Sequence, residues 1–208
     1  EAAISSSLKR RYPPFTFSLP LSFLSEHGAE IFPGAALLFV GVRRTNAEIG
    51  RLPPRATGIL SHFDVTETLE LALALQPDAR RVAFITGTGA VDRNWRAVAD
   101  EQFAPFRGRL EAVHLSGLAL EDLLQEVAQL ARDTIVIFLT LTRDGAGVQF
   151  VRMHDIARQV AAVSNAPVYG VYETYLARGI VGGYVDRFQP LGSATGTLAL
   201  RILAGEDP

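Results

Sequence analysis

Four short segments of this chain hold side chains that could do chemistry or grip a small molecule. Thr86-Gly87-Thr88-Gly89 is a glycine turn between an apolar β-branched run and a helical stretch. There, backbone N–H groups and hydroxyls can meet a ligand at the carboxyl end of a strand. A dinucleotide-binding turn would need a third glycine where Asp92 stands, and a carboxylate would then face the pyrophosphate. The turn reads either as a tight strand-to-helix connection or as a contact for a small ligand, and it disfavours a dinucleotide. Leu141-Thr-Arg-Asp-Gly-Ala-Gly147 follows a second apolar run. Arg143 could clamp a carboxylate through two parallel hydrogen bonds. Its neighbour Asp144 reads as part of that site or as a helix cap. Val168-Tyr-Gly-Val-Tyr-Glu-Thr-Tyr175 brings Tyr172 and Glu173 to a third strand end, where a tyrosine offers apolar area with one polar handle. Trp95, the only tryptophan, reads as a core residue or as a stacking surface.

Constellations for catalysis are thin. His27, His62, His114 and His154 are scattered, and no His-x-x-x-His pair occurs. There is no cysteine for a nucleophile, thiolate site or disulfide. No Gly-x-Ser-x-Gly elbow is present, and the sole lysine, Lys9, lies outside any phosphate-loop frame. The expectation is a binding domain with no catalytic residue, metal or cofactor.

Those segments need elements to hold them. Periodicity predicts a weak strand at Phe15–Leu19, a helix near Ser22–Ile31, a strand at Leu37–Val42, a polar loop over Arg43–Arg55 and a short strand at Gly58–His62. Asp64-Val-Thr-Glu67 has capping-box spacing and opens a helix through Ala74 that Gln76-Pro77 ends. Strands at Arg81–Thr86, Leu110–Leu115, Thr134–Leu141 and Val168–Val171 then alternate with helices at Arg93–Phe103, Glu121–Ala131 and Val151–Ser164. Gly179–Tyr184 looks like one more strand, and Leu191–Leu203 like a last helix stopped at Gly205. Strands apolar throughout, separated by amphipathic helices, mean a parallel sheet covered on both faces: a doubly wound α/β unit.

Composition agrees. A chain of 208 residues, 48% hydrophobic and 20% charged, can bury a core and is not disordered. A net charge of −2 without a Lys/Arg block argues against nucleic-acid binding. Of the basic residues 19 are arginines, which reads as genomic bias toward high GC rather than an arginine-specific function. No apolar run approaches the ~20 residues of a membrane span. The start places polar residues before Lys9-Arg-Arg11, the reverse of a signal peptide. The absent initiator Met and the finish at Leu203-Ala-Gly-Glu-Asp-Pro208 read as a fragment of a longer protein.

One family shares the order of these features. Phe32-Pro33 precedes a strand ending Val40-Gly41-Val42, followed by Thr57-Gly58, Leu75-Gln-Pro77, Arg81-Val82 with Gly87 and Asp92, Arg143-Asp144 with Gly147 and Phe150, Pro167-Val-Tyr-Gly170 and Gly179-Ile-Val-Gly-Gly183. The chain thereby resembles the type I periplasmic-binding-protein-like domain of the ABC-transporter substrate-binding family. The branch it looks closest to serves as the extracytoplasmic sensor of bacterial histidine kinases. The resemblance implies two α/β lobes joined by hinge crossings, lobe 1 from residues 1–76 and 179–208 and lobe 2 from 77–178. Lobe 1 lacks a counterpart of the family's first strand and helix, so it is expected to be truncated at its N-terminus.

The resemblance also implies a function. The chain would be a non-enzymatic sensor outside the cytoplasmic membrane, tethered to it in the full-length protein, closing on a small organic acid in an interlobe cleft and signalling to a kinase module downstream. Arg143 would clamp a carboxylate, with Asp144 beside it. Phe63, Trp95, Tyr172 and Tyr184 would offer aromatic surface to an aromatic acid, and Thr86, Gly87, Asp92 and Glu173 polar contacts. A dimer fits the same reading. Two alternatives stay open: a substrate-binding component of an ABC importer, and a cytoplasmic nucleotide- or sugar-dependent enzyme built on Gly87–Gly89.

Overall fold

The structure is a computed structural model that describes residues 19–43, 52, 55–61 and 64–207. The strand expected at Phe15–Leu19, save Leu19, lies outside the described residues, as do most of the loop 43–55, His62 and Phe63. Leu19 itself begins a helix. The chain forms two compact units, one of Glu1–Leu60 with Gly192–Pro208, the other of Ser61–Leu191.

The smaller unit contains helix α1 (Leu19–Ile31) and strand β1 (Leu37–Arg43), which forms a two-stranded sheet with β2 (Ala56–Ser61). Leu37 N donates to Arg55 O (2.9 Å), and the Arg55 guanidinium returns to Gly34 O (3.0 Å), closing the entry to both strands. Gly58 lies so close to the carbonyl and ring of Phe39 that any side chain there would collide with them.

The larger unit begins with α2 (Val65–Leu75), whose N-cap Asp64 accepts from Glu67 N at 3.1 Å, as the capping spacing requires. Four strands follow: β3 (Arg81–Thr86), β4 (Glu111–Leu115), β5 (Thr134–Thr140) and β6 (Val168–Gly170). They pair in parallel in the order β4-β3-β5-β6, with Arg81 opposite both Glu111 and Thr134 and with Val136 opposite Val168. Every residue of β5 is buried, which is why its sequence is a continuous apolar run flanked by threonines. The crossovers are α3 (Ala90–Gln102), α4 (Leu120–Ala128) and α5 (Met153–Val163). Helix α3 packs on β3 and β5, α2 packs on α3, β5 and β6, and α4 packs on α5. Because the chain leaves β3 in one direction and β5 in the other, right-handed crossovers place α4 and α5 on the face opposite α3. The core runs from Leu69 and Leu73 of α2 through Phe84, Ile137 and Phe138 of the sheet to Val127 and Val160.

The units divide near residues 60 and 191, and α2 is held within the larger one: Gln76 accepts from Tyr169 Oη of β6 (3.1 Å), and Val65 N donates to Gln102 of α3 (2.7 Å). Two differences from the sequence reading have physical causes. Gly179–Tyr184 does not form a strand. Only Gly182 makes a bridge, to Tyr169, and Gly179 at φ +89° breaks the extended run. The final helix, α6 (Phe188–Leu203), starts three residues earlier than Leu191 because the Glu173 carboxylate, distant in sequence, accepts from Phe188 N at 2.6 Å. Its end is as expected, with Gly205 at φ +101°.

Candidate functional site

The reversal of direction between β3 and β5 makes a topological switch point, and open α/β sheets bind ligands at the carboxyl ends of the strands beside such a point. Here that edge is built from the turn 86–89 after β3 and the loop 141–150 after β5. The loop is a miniature hairpin. Phe150 N donates to Thr142 O (2.8 Å), Asp144 N to Val148 O (3.0 Å), and Gly147 N to Asp144 O (3.2 Å), with Gly147 at φ +86° completing the bend.

The turn and the hairpin are stitched together. Gly87 N donates to Thr140 O (2.9 Å), Thr88 N to Arg143 O (2.7 Å) and Thr88 Oγ1 to Asp144 O (2.9 Å). Gly87 is required by the closeness of this approach: a Cβ there would meet Arg143 O and the Asp92 carboxylate. Asp92 is fully buried beneath the junction. Its carboxylate accepts from Gly89 N (2.8 Å), Thr142 N (3.0 Å), Thr142 Oγ1 (2.7 Å) and Arg143 N (3.2 Å). The bond to Gly89 N starts α3 at Ala90, three residues before the periodicity does. Asp144, also buried, accepts from Val148 N (2.8 Å) and from Leu120 N (3.1 Å), so it caps α4 across space. Both carboxylates are thus satisfied mainly by main-chain donors.

The cationic groups point the other way. Arg143 is exposed, and its Nε donates to Gly147 O at 3.4 Å. Arg93, also exposed, donates from its guanidinium to Thr88 O at 2.6 Å. The sequence reading passed over Arg93. The signal was there: a basic residue in the first turn of a helix opposes the macrodipole unless an anion is expected nearby. Beneath the turn, the hydroxyls of Thr86 and its register partner Thr140 are buried and make no hydrogen bond. An unpaired buried hydroxyl costs roughly 1–3 kcal/mol.

Trp95 and Tyr172 meet in a second cluster. Trp95 is 4% exposed, and its Nε1 donates to Tyr172 Oη at 2.9 Å. The two rings cross edge to face at 5.6 Å, Tyr172 repeats that geometry with Tyr175 at 5.5 Å, and it stacks on Phe188 at 5.8 Å. Burial pushes the Tyr172 phenol well above its ordinary value, so it stays protonated. Glu173 lies at the start of α6, where it accepts from Phe188 N at 2.6 Å and faces the Arg187 guanidinium at 4.0 Å. Tyr184 is half-exposed, and its N–H donates to Thr68 Oγ1 (3.0 Å). Thr86, Gly87, Asp92, Arg143 and Asp144 are therefore brought together, Trp95 and Tyr172 form a pair, and Phe63 is outside the described residues. Among the described residues no group of three His, Asp or Glu side chains could hold a metal ion, and no helix is long and apolar enough to cross a membrane.

No family model and no curated protein sequence matches the chain. Solved structures do. A ligand-free, open substrate-binding protein with adhesive properties from Clostridium difficile superposes with a TM-score of 0.56 at 18% identity, over 73% of this chain and 50% of that one. An ABC domain in complex with L-Trp from Streptococcus pneumoniae gives 0.55 at 15% identity, over 74% of this chain and 50% of that one. The chain spans about half the length of these proteins. Its α/β fold, with parallel strands covered by helices in the larger unit, is similar to that of these substrate-binding proteins.

Proposed function

We propose that the chain binds a small organic acid at the carboxyl edge of β3 and β5, as the extracytoplasmic ligand-sensing domain of a two-component histidine kinase. The observation that carries the binding reading is Arg143: an exposed guanidinium on a hairpin pinned by two buried carboxylates, at the switch point of a fold shared with substrate-binding proteins. A rigid mount suits a clamp, since little ordering cost remains to be met on binding. The half-exposed Tyr184 favours an aromatic acid, and the pneumococcal neighbour was solved in complex with L-Trp.

A sensor needs a ligand with different affinities for two conformations, because equal affinity shifts no population. Thermal-shift screening with amino acids, aromatic acids and short-chain acids tests binding. A ligand at ~100 times its dissociation constant adds ~2.7 kcal/mol of stability. Arg143→Ala is expected to abolish the shift; a shift that survives it removes the clamp.

The second reading, the substrate-binding component of an ABC importer, has the pneumococcal likeness in its favour. Sequencing the gene beyond residue 208 separates the two. A transmembrane helix and kinase modules support sensing, and an early stop supports transport.

A further inference from the structure

We infer that two copies of this chain associate through helix α6, packed antiparallel about a two-fold axis near Leu198; the inference is independent of what the larger unit binds. Helix α6 contains no buried residue. At about 100° per residue its apolar positions fall on two separate faces. Leu191, Thr195, Leu198 and Ile202 make one, and all four are partly covered. Gly192, Gly196, Leu200 and Leu203 make the other, roughly 120° round the helix. All four are exposed, Leu200 at 69% and Leu203 at 82%.

Nothing inside the chain requires the two glycines. Both keep an ordinary helical backbone, and a Cβ added to either would meet no atom within 4 Å. Glycine inside a helix destabilises it relative to alanine, and here no internal contact offsets that loss. What a glycine does allow is the close approach of a neighbour, and the neighbour that fits is the same helix. An antiparallel two-fold pair sets the leucine end of each copy over the glycine end of the other. Leu200 then meets Gly196, and Leu203 meets Gly192, projection against notch. A parallel pair would set leucine on leucine and leave a gap over the glycines. Charge agrees, because a two-fold axis opposes like with like and the exposed face carries no charge. Arg201, the only charged residue of α6, lies on the far side and pairs with Glu206.

The smaller unit has apolar surface still to bury. Among residues 23–42, 55–60 and 192–207 no apolar side chain is buried, and Phe32 and Val40 are exposed as well as the two leucines. The stretch from Gly192 to Leu203 is roughly 18 Å long. A single helix pair of that length buries less than the ~800 Å² per partner of a stable interface, so the dimer is reversible and weak.

Sedimentation equilibrium of the intact chain between about 10 μM and about 1 mM tests this, and reversible dimerisation is expected within that range. Leu200→Glu should leave the protein monomeric throughout without lowering its thermal midpoint, since Leu200 is exposed. Gly196→Ala should raise the thermal midpoint of the dilute protein while weakening the dimer about tenfold, two changes of opposite sense. Because the chain has no cysteine, Ala199→Cys supplies a single thiol beside the axis and should give a disulfide-linked dimer on oxidation. Ala194→Cys, on the far side of the helix, should not. A monomer at every concentration overturns the inference, as does a dimer that Leu200→Glu and Gly196→Ala leave unchanged. Monomers that bind phosphatidylcholine vesicles, and lose that binding in Leu200→Glu, also overturn it and assign the face to a lipid surface.

Discussion

The carboxylate of Asp92 accepts hydrogen bonds from both the N–H and the hydroxyl of Thr142, at 3.0 and 2.7 Å, and through them a helix that follows β3 holds the loop that follows β5. The two residues are 50 positions apart, and with Arg143 N and Gly89 N on the same carboxylate the whole switch-point edge hangs on one buried side chain. Hydrogen bonds to a charged acceptor contribute ~1.5–3 kcal/mol, and orphaned buried donors cost as much again. Asp92→Ala is therefore expected to lower unfolding stability by about 3 kcal/mol, and Asp92→Asn by less. Urea unfolding checks both. An Asp92→Ala change below ~1 kcal/mol would show that the junction holds without the carboxylate.

Gly87 is expected to tolerate no side chain. Because a Cβ would meet the carbonyl of Arg143 as well as the Asp92 carboxylate, Gly87→Ala must push the hairpin away from the turn. The expected loss is ~1–3 kcal/mol by denaturant unfolding. Ligand affinity should fall with it, since Arg143 moves with its own carbonyl.

Trp95 is a built-in reporter, being the only tryptophan and a donor to Tyr172 Oη. Tyr172→Phe keeps the edge-to-face and stacked rings while removing the acceptor, leaving the indole N–H in a site that is 4% exposed. The expected cost is about 1 kcal/mol. The Trp95 emission maximum should shift to the blue; unchanged fluorescence would mean that the hydrogen bond is not formed in solution.

His114 makes stability depend on pH. Its Nε2 faces Asp100 Oδ1 at 2.9 Å, its ring stacks on Phe84 at 5.6 Å, and its Nδ1 is buried without a partner. Burial pushes the imidazole below its ordinary 6.5, with Asp100 opposing the shift and Arg96 adding to it. The unfolded chain therefore binds more protons than the folded one just below pH 6.5. Stability should be full above that value and decline as pH falls from it, levelling off once the folded-state value is passed. Denaturant midpoints between pH 7.5 and 5 should show this slope, and His114→Phe should flatten it. An equal slope in the variant would assign the effect to other groups.

Much of the fold is legible in the residues themselves. Local periodicity places β3, β5 and the helices between them, since a strand buried on both faces needs a run such as Thr134–Thr140, and Asp64 caps α2 through a contact three residues long. The candidate site is legible by type, in the glycine turn and in Arg143. It is not legible by role, because Asp92 and Asp144 look like ligand contacts until their donors are known, and Arg93 looks like a solvated helix residue until Thr88 is seen beside it.

By itself, then, the amino-acid sequence determined the alternation of strands and helices, the parallel sheet and the places where loops cross its carboxyl edge. These follow from continuous apolar runs in the strands, a period of 3.6 in the helices and caps within one turn. The tertiary structure alone decided that α2 packs with the larger unit, that Gly179–Tyr184 makes one bridge rather than a strand, and that Glu173 starts α6. It also decided that Asp92 and Asp144 are buried against main-chain donors while Arg143 is exposed. The reason is physical: hydrogen bonds between loops depend on which strands lie side by side, and the order β4-β3-β5-β6 brings together residues that no local pattern relates.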